Sequence, residues 1–159
     1  MAVTALYQVH AVGLIRLAMM MLGDRPSAED AVQEAFCGLY RHWHRLTEPD
    51  KALPYVRSAV LNGCRTQLRS RTRAARRQPA GDIEAVSAES AVLLLEEHQE
   101  VLDALRRLPG RQREALVLRY YLDLPPQEIA RAMKISEGTV KSTTSRALTA
   151  LGKLLREGR

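Results

Sequence analysis

The chain is short of most residue types that carry chemistry by themselves. It has 159 residues and only two cysteines, Cys37 and Cys64. Two such thiols make no CxxC pair, no zinc quartet and no disulfide framework, which fits a reducing, cytoplasmic setting. Aromatic residues are 4% of the chain, and alternating β-branched runs are few. Half-buried strands need those residues, so the composition points to an all-α fold. There is no glycine-rich phosphate loop, no nucleophile elbow and no HExxH. His42 and His44 flank Trp43, but neighbours two apart on a helix point in different directions, so no metal site is expected there. Met19, Met20 and Met21 read as core fillers rather than cofactor contacts. The opening "MAVTALYQVHAVGLIRLAMMML" is apolar but carries His10 and Arg16, and lacks a basic leader and a small-residue cleavage site. Neither a signal peptide nor a membrane span is expected. With no catalytic constellation, metal site or cofactor site, an enzyme is not expected.

What is present is charge, laid out unevenly. The formal net charge is +6 and the pI about 9.7, a mild basic excess that fits a polyanion partner. The segment "RTQLRSRTRAARR" has arginines at 65, 69, 71, 73, 76 and 77 and no acid. The next, "QPAGDIEAVSAESAVLLLEEHQE", has acids and no lysine or arginine, with Pro79 and Gly81 at the switch. A composition shift with turn residues at the join marks a boundary. The expected organisation is two small helical domains, 1–77 and 92–159, joined by a flexible linker at 78–91. A coil of that length has a root-mean-square span of ~20 Å and stretches to roughly 45–50 Å.

In the first half, the pattern predicts three long helices. The first covers about 3–22 and stops at Gly23-Asp24. The second starts near Ser27 as N-cap, with Glu29 and Asp30 in the first turn, and runs to about Leu46. The third begins near Leu53-Pro54 and continues into the arginine run. Val32, Phe36, Leu39, Trp43 and Leu46 form the apolar stripe of the second helix. In the second half, a helix patterned by Leu94, Leu95, Leu102, Leu105 and Leu108 ends at Pro109-Gly110, and another covers about 111–121.

The stretch "PPQEIARAMKISEGTVKSTTSRALTAL" reads as a helix-turn-helix. Ile129, Ala130 and Met133 share one face of its first helix, and small Ala130 permits a close crossing. Lys134-Ile135-Ser136 makes the turn, with Ser136 capping a second helix whose apolar face is Val140, Ala147, Leu148 and Leu151. Lys141, Ser142, Thr143, Ser145 and Arg146 are left facing outward. Short hydroxyls and cations suit base edges and phosphates in a major groove. Glu137, at the helix start, either accepts from a cytosine amine or serves the dipole.

Two further surfaces suggest partners. Tyr55 and Asn62 precede the arginine run on the same predicted helix. Arginines that hold phosphates, a ring that stacks and an amide that reads a base edge suit single-stranded DNA. Asp30, Gln33, Glu34, Cys37 and Arg41 form a separate face of the second helix. Acids there are badly placed for DNA and well placed for a basic protein surface.

Three segments, in this order, carry a resemblance that covers nearly the whole chain: "AEDAVQEAF", "PYVRSAVLNGCRTQLRSRTR" and "LPGRQREALVLRYYLDLPPQEIARAMKISEGTVKSTTSRAL". Together the chain resembles a bacterial sigma factor of the extracytoplasmic-function (ECF) group of the sigma-70 family, in its minimal two-domain form. The resemblance implies binding to core RNA polymerase through Asp30, Gln33 and Glu34. It implies that Tyr55, Asn62, Arg65, Arg69, Arg71 and Arg73 open and hold the single-stranded −10 element. The loop "TEPDKALP" would help capture a flipped base. The helix from Glu137 would read the duplex −35 element through Lys141, Ser142, Thr143, Ser145 and Arg146, and the second domain would also grip the flap of a large polymerase subunit. An anti-sigma protein covering one or both domains belongs to the same picture. Three positions depart from the family's common pattern: Tyr55 stands where tryptophan is frequent, Thr143 where arginine is, and Pro125-Pro126 where a serine cap is usual.

Two other readings compete. A stand-alone helix-turn-helix regulator would have no need of the acidic helix face followed by the Asn62–arginine helix. A nuclease would need carboxylates clustered for a metal, whereas the acids here lie on one helix face or in the linker.

Overall fold

The computed structural model describes residues 2–77 and 98–158. The linker expected at 78–91, and the part of the next helix that carries Leu94 and Leu95, lie outside the described residues. The chain divides into two compact units, Met1–Ser90 and Ala91–Arg159. Every regular element among the described residues is helical.

The first unit packs α1 (Ala2–Leu22), α2 (Arg25–His42) and α3 (Ala52–Arg77) against one another. Leu17 and Met21 of α1, Val32 and Leu39 of α2, and Val56, Val60, Leu61 and Cys64 of α3 are each at most 1% exposed. Burying an aliphatic side chain that fully stabilises by about 1.5–3 kcal/mol, so this core holds the unit together. Tyr7 meets Phe36 edge-on, with ring centroids 5.0 Å apart. By length and composition alone α1 is apolar enough to cross a membrane, a property it shares with buried core helices. Its Leu14, Leu17, Ala18, Met21 and Leu22 are instead buried in the unit.

The corner between α1 and α2 departs from the sequence reading. Gly23 closes α1 at φ 84°, donating to the Met19 carbonyl, a left-handed conformation that suits glycine. The N-cap of α2 is Asp24, not Ser27: Asp24 Oδ2 accepts from the Ser27 amide at 2.8 Å. Pro26, which has no N–H to satisfy, fills the first turn between them. The first turn therefore holds no acid. Glu29 pairs with Arg25 one turn back. At the other end, α2 stops at His42 and passes into a 3-10 turn, Trp43–Arg45. The tighter winding rotates Trp43 and Leu46 off the apolar stripe, so both are half-buried rather than core. A second 3-10 turn, Pro49–Lys51, leads into α3.

The second unit contains α4 (Gln99–Arg107), α5 (Gly110–Leu116), α6 (Pro126–Met133) and α7 (Glu137–Glu157). α5 continues into a π-helical turn, Val117–Tyr121, where a single α-helix to about 121 was expected. Leu105, Leu108, Leu116 and Ala147 form its core, with Leu102, Leu151 and Leu154 packed around them. Leu148 does not join the apolar face of α7 and is 44% exposed. The buried stripe steps from Val140 to Ala147, and Leu148 lies one residue, or 100°, off it.

Candidate protein-docking and nucleic-acid surfaces

On α2, Asp30, Gln33 and Glu34 are all exposed, on the side away from Ala28, Ala31, Val32 and Ala35. Glu34 reaches Arg41 at 3.2 Å, but both side chains are mostly solvated. Such a pair contributes little to folding and is open to exchange for a partner's charge. These residues line a groove between α2 and α3 that also holds Cys37, His42 and Tyr55. Tyr55 is half-buried. A β-carbon built on Gly38 would stand 3.9 Å from its hydroxyl, and its ring lies 6.2 Å from that of His42. The structure therefore brings the predicted stacking tyrosine to the same groove as the acidic face.

Farther along α3, Asn62 is exposed, and its Oδ1 accepts from Arg65 at 2.7 Å. That bond holds the amide oxygen and leaves the amide NH2 free to donate. Arg69 and Arg73 are exposed. Arg71 behaves differently from its neighbours. Its guanidinium turns back to the α1–α2 corner, where it donates to the Leu22 carbonyl and Asp24 Oδ1, each at 2.5 Å, and to Ser27 Oγ at 3.0 Å. Gln67 adds a bond to the Ser27 carbonyl. Burial would raise the Asp24 carboxyl, but the Ser27 amide and hydroxyl and the Arg71 guanidinium outweigh it and hold the carboxyl below its ordinary value.

In the second unit, Lys134 takes the left-handed conformation at φ 58° that ends α6. Ser136 then caps α7: its Oγ accepts from the Thr139 amide at 3.1 Å. Ile129, Ala130 and Met133 are buried, as the helix-turn-helix spacing required. Glu137, Lys141, Ser142, Ser145 and Arg146 are exposed along α7, and Thr143 is half-buried. The Ser142 hydroxyl donates to the Thr139 carbonyl, so it presents acceptor lone pairs outward. Arg111 anchors the turn from beneath by donating to the Met133 carbonyl at 2.8 Å, while pairing with the buried Glu114.

Sequence reasoning missed Asp24 and Arg71 as a pair, because 47 positions separate them. It missed the cap too, although "DRPS" holds the signal: an acid, then proline, then the third-residue amide. Nor did it single out Arg113 and Glu114, both of which are buried. Among the described residues no three histidine, cysteine or acidic side chains converge as metal ligands do.

Comparison with known proteins follows the same division. The model of Sigma-70 region 2 matches residues 6–74, and that of Sigma-70 region 4 matches residues 98–151. The chain is 30% identical over 138 residues to the RNA polymerase sigma-E factor of Streptomyces avermitilis, covering 87% of this chain and 76% of that protein. It is 33% identical over 160 residues to the ECF RNA polymerase sigma factor SigL of Mycobacterium tuberculosis, covering 96% and 88%. Among solved structures it is similar in fold to the sigma factor RpoE of Bartonella quintana, crystallised with the anti-sigma factor NepR. That match has a TM-score of 0.74 at 20% identity and covers 98% of each chain.

Proposed function

The chain belongs to the sigma-70 family of RNA polymerase sigma factors, in its ECF group, and we propose that its two units divide promoter recognition between them. Asp30, Gln33 and Glu34 dock on a basic surface of core polymerase. Tyr55, Asn62, Arg65, Arg69 and Arg73 hold the opened −10 strand, and the Pro49–Lys51 turn leads into the helix that carries them. Arg71 is withdrawn from this set because three of its five donors already meet Leu22, Asp24 and Ser27. In the second unit Lys141, Ser142, Ser145 and Arg146 read the −35 duplex. Thr143, half-buried, sits at the edge of that surface, and Glu137 sits at its leading end.

The observation that carries the reading is one chain with two exposed surfaces of opposite character. An acidic face on α2 shares its unit with a helix of exposed arginines, and a capped helix-turn-helix occupies the other unit. A stand-alone regulator accounts only for the last of these. The physical logic is divided affinity. Core polymerase fixes both units and raises the effective concentration of each at its element. Capture of unstacked bases then drives strand opening, a step that needs binding groups rather than catalytic ones. The chain acts as an initiation factor in the cytoplasm with no reaction of its own, and an anti-sigma protein is the expected regulator. The test is in vitro transcription with core polymerase and a set of genomic promoter fragments. Specific transcripts that require the chain support the reading; transcripts indifferent to it refute it.

A further inference from the structure

Resting on that reading of the first unit, we propose that Arg71 is a positioning residue for single-strand capture, fixing where α3 presents its other arginines without touching the nucleic acid. One guanidinium on α3 joins two helix ends. Nη1 donates to the Leu22 carbonyl at the C-terminus of α1. Nη2 donates to Asp24 Oδ1 and Ser27 Oγ at the start of α2. Asp24 is shared as well, because its other oxygen caps α2 through the Ser27 amide. The planar fork suits this arrangement: two nitrogens reach separate acceptors, and a cation at the end of α1 faces a favourable dipole.

The placement along α3 gives the network its consequence. Among the described residues, the last core side chain α3 contributes is Cys64, and Leu68 is only half-buried. Beyond it, Arg69, Ser70, Thr72 and Arg73 are all exposed. Among the described residues, Gln67 and Arg71 both lie past Cys64 and bond to the α1–α2 corner. Without them, the arginine-bearing end would lose these side-chain ties to the corner. Since α2 also carries the acidic docking face, the same bonds fix the strand-holding arginines relative to the polymerase contact.

The experiment uses the full chain assembled with core polymerase. The probe is a fluorescent single strand copied from the non-template −10 region of a promoter that the wild type opens, titrated over a range of salt. Arg71→Ala and Asp24→Asn should each weaken capture roughly two- to thirtyfold. The double variant should be no worse than Arg71→Ala, because the two side chains act as one unit. The slope of log affinity against log salt should stay at the wild-type value. Arg69→Ala or Arg73→Ala, by contrast, should each lower that slope by about 0.7. Arg71→Lys should not rescue capture, because an ammonium keeps the charge but loses the fork. Three results overturn the proposal. One is a slope loss in Arg71→Ala matching that of Arg69→Ala. Another is full rescue by lysine. The third is unchanged capture by both Asp24→Asn and Arg71→Ala. A wild-type complex that captures no single strand refutes the reading of the first unit itself.

Discussion

Arg113 donates from Nε to the Leu105 carbonyl at 2.8 Å, reaching from α5 into the last turn of α4. Its Nη2 adds the Arg106 and Leu108 carbonyls. A helix C-terminus leaves carbonyls without helical partners, and here a side chain from the next helix donates to three at that end. The Leu105 carbonyl also accepts from the Leu108 amide at 3.1 Å. Arg113 is only 7% exposed, so those oxygens stand in for water around its guanidinium.

Replacing it with alanine should destabilise the second unit by roughly 2–4 kcal/mol, since buried carbonyls lose their donor. Arg113→Lys should recover only part, because an ammonium cannot reach three divergent acceptors. Thermal melting, with amide exchange read on Gln99–Arg107, measures both. Wild-type stability in Arg113→Ala would show that the bonds are incidental.

The Ser136 cap gives a milder prediction. Ser136→Ala should cost about 1 kcal/mol, and Ser136→Asp should restore it, because either oxygen accepts from the Thr139 amide. Chemical denaturation of the full chain reads the difference. Equal stability of alanine and serine at this position would remove the cap from the account.

These two residues mark what the sequence makes legible. Ser136 was readable because capping is local: the hydroxyl and the amide it serves lie three residues apart. The same holds for Gly23, for the buried Ile129–Met133 face, and for the exposure of Asp30, Gln33 and Glu34. Arg113 and Arg71 were not readable, since their partners are backbone or distant side chains that only the packing brings near. Trp43 and Leu46 were misread because the change to 3-10 winding at Trp43 has no strong local signal. Leu148 was misplaced by a single step of the helix. The π turn at Val117–Tyr121 escaped a reading based on one fixed period.

Acid should loosen the first unit through Asp24. Asp24 is held below its ordinary value, so its contribution is complete above the unfolded carboxyl's pKa, about 4. It is lost as the pH falls through the lower folded value. Asp24→Asn should therefore flatten the acid limb of the first unit's stability curve, with the size kept small by partial exposure of the pair. Denaturation across pH 2–6, followed on the lone Trp43, tests this; identical curves for wild type and variant would contradict it.

The exposed residues of α7 should separate into two classes. Lys141→Ala should weaken all duplexes alike and lower the salt slope by about 0.9, as loss of a phosphate contact does. Arg146→Ala or Ser142→Ala should relax preference among −35 sequences by roughly 1–3 kcal/mol. Selection from a randomised −35 library, repeated at two salt concentrations, separates them. A sequence preference unchanged in all three variants would remove α7 as the reading helix.

The central claim is that the two units act through polymerase. Its most direct test is the chain's affinity for promoter DNA with and without core enzyme, using wild type and Glu34→Lys. The account predicts weak binding by the chain alone and a gain on the order of a hundredfold or more with core. Glu34→Lys should lose most of that gain at unchanged stability. Tight promoter binding by the chain alone, indifferent to core and to Glu34, would contradict it.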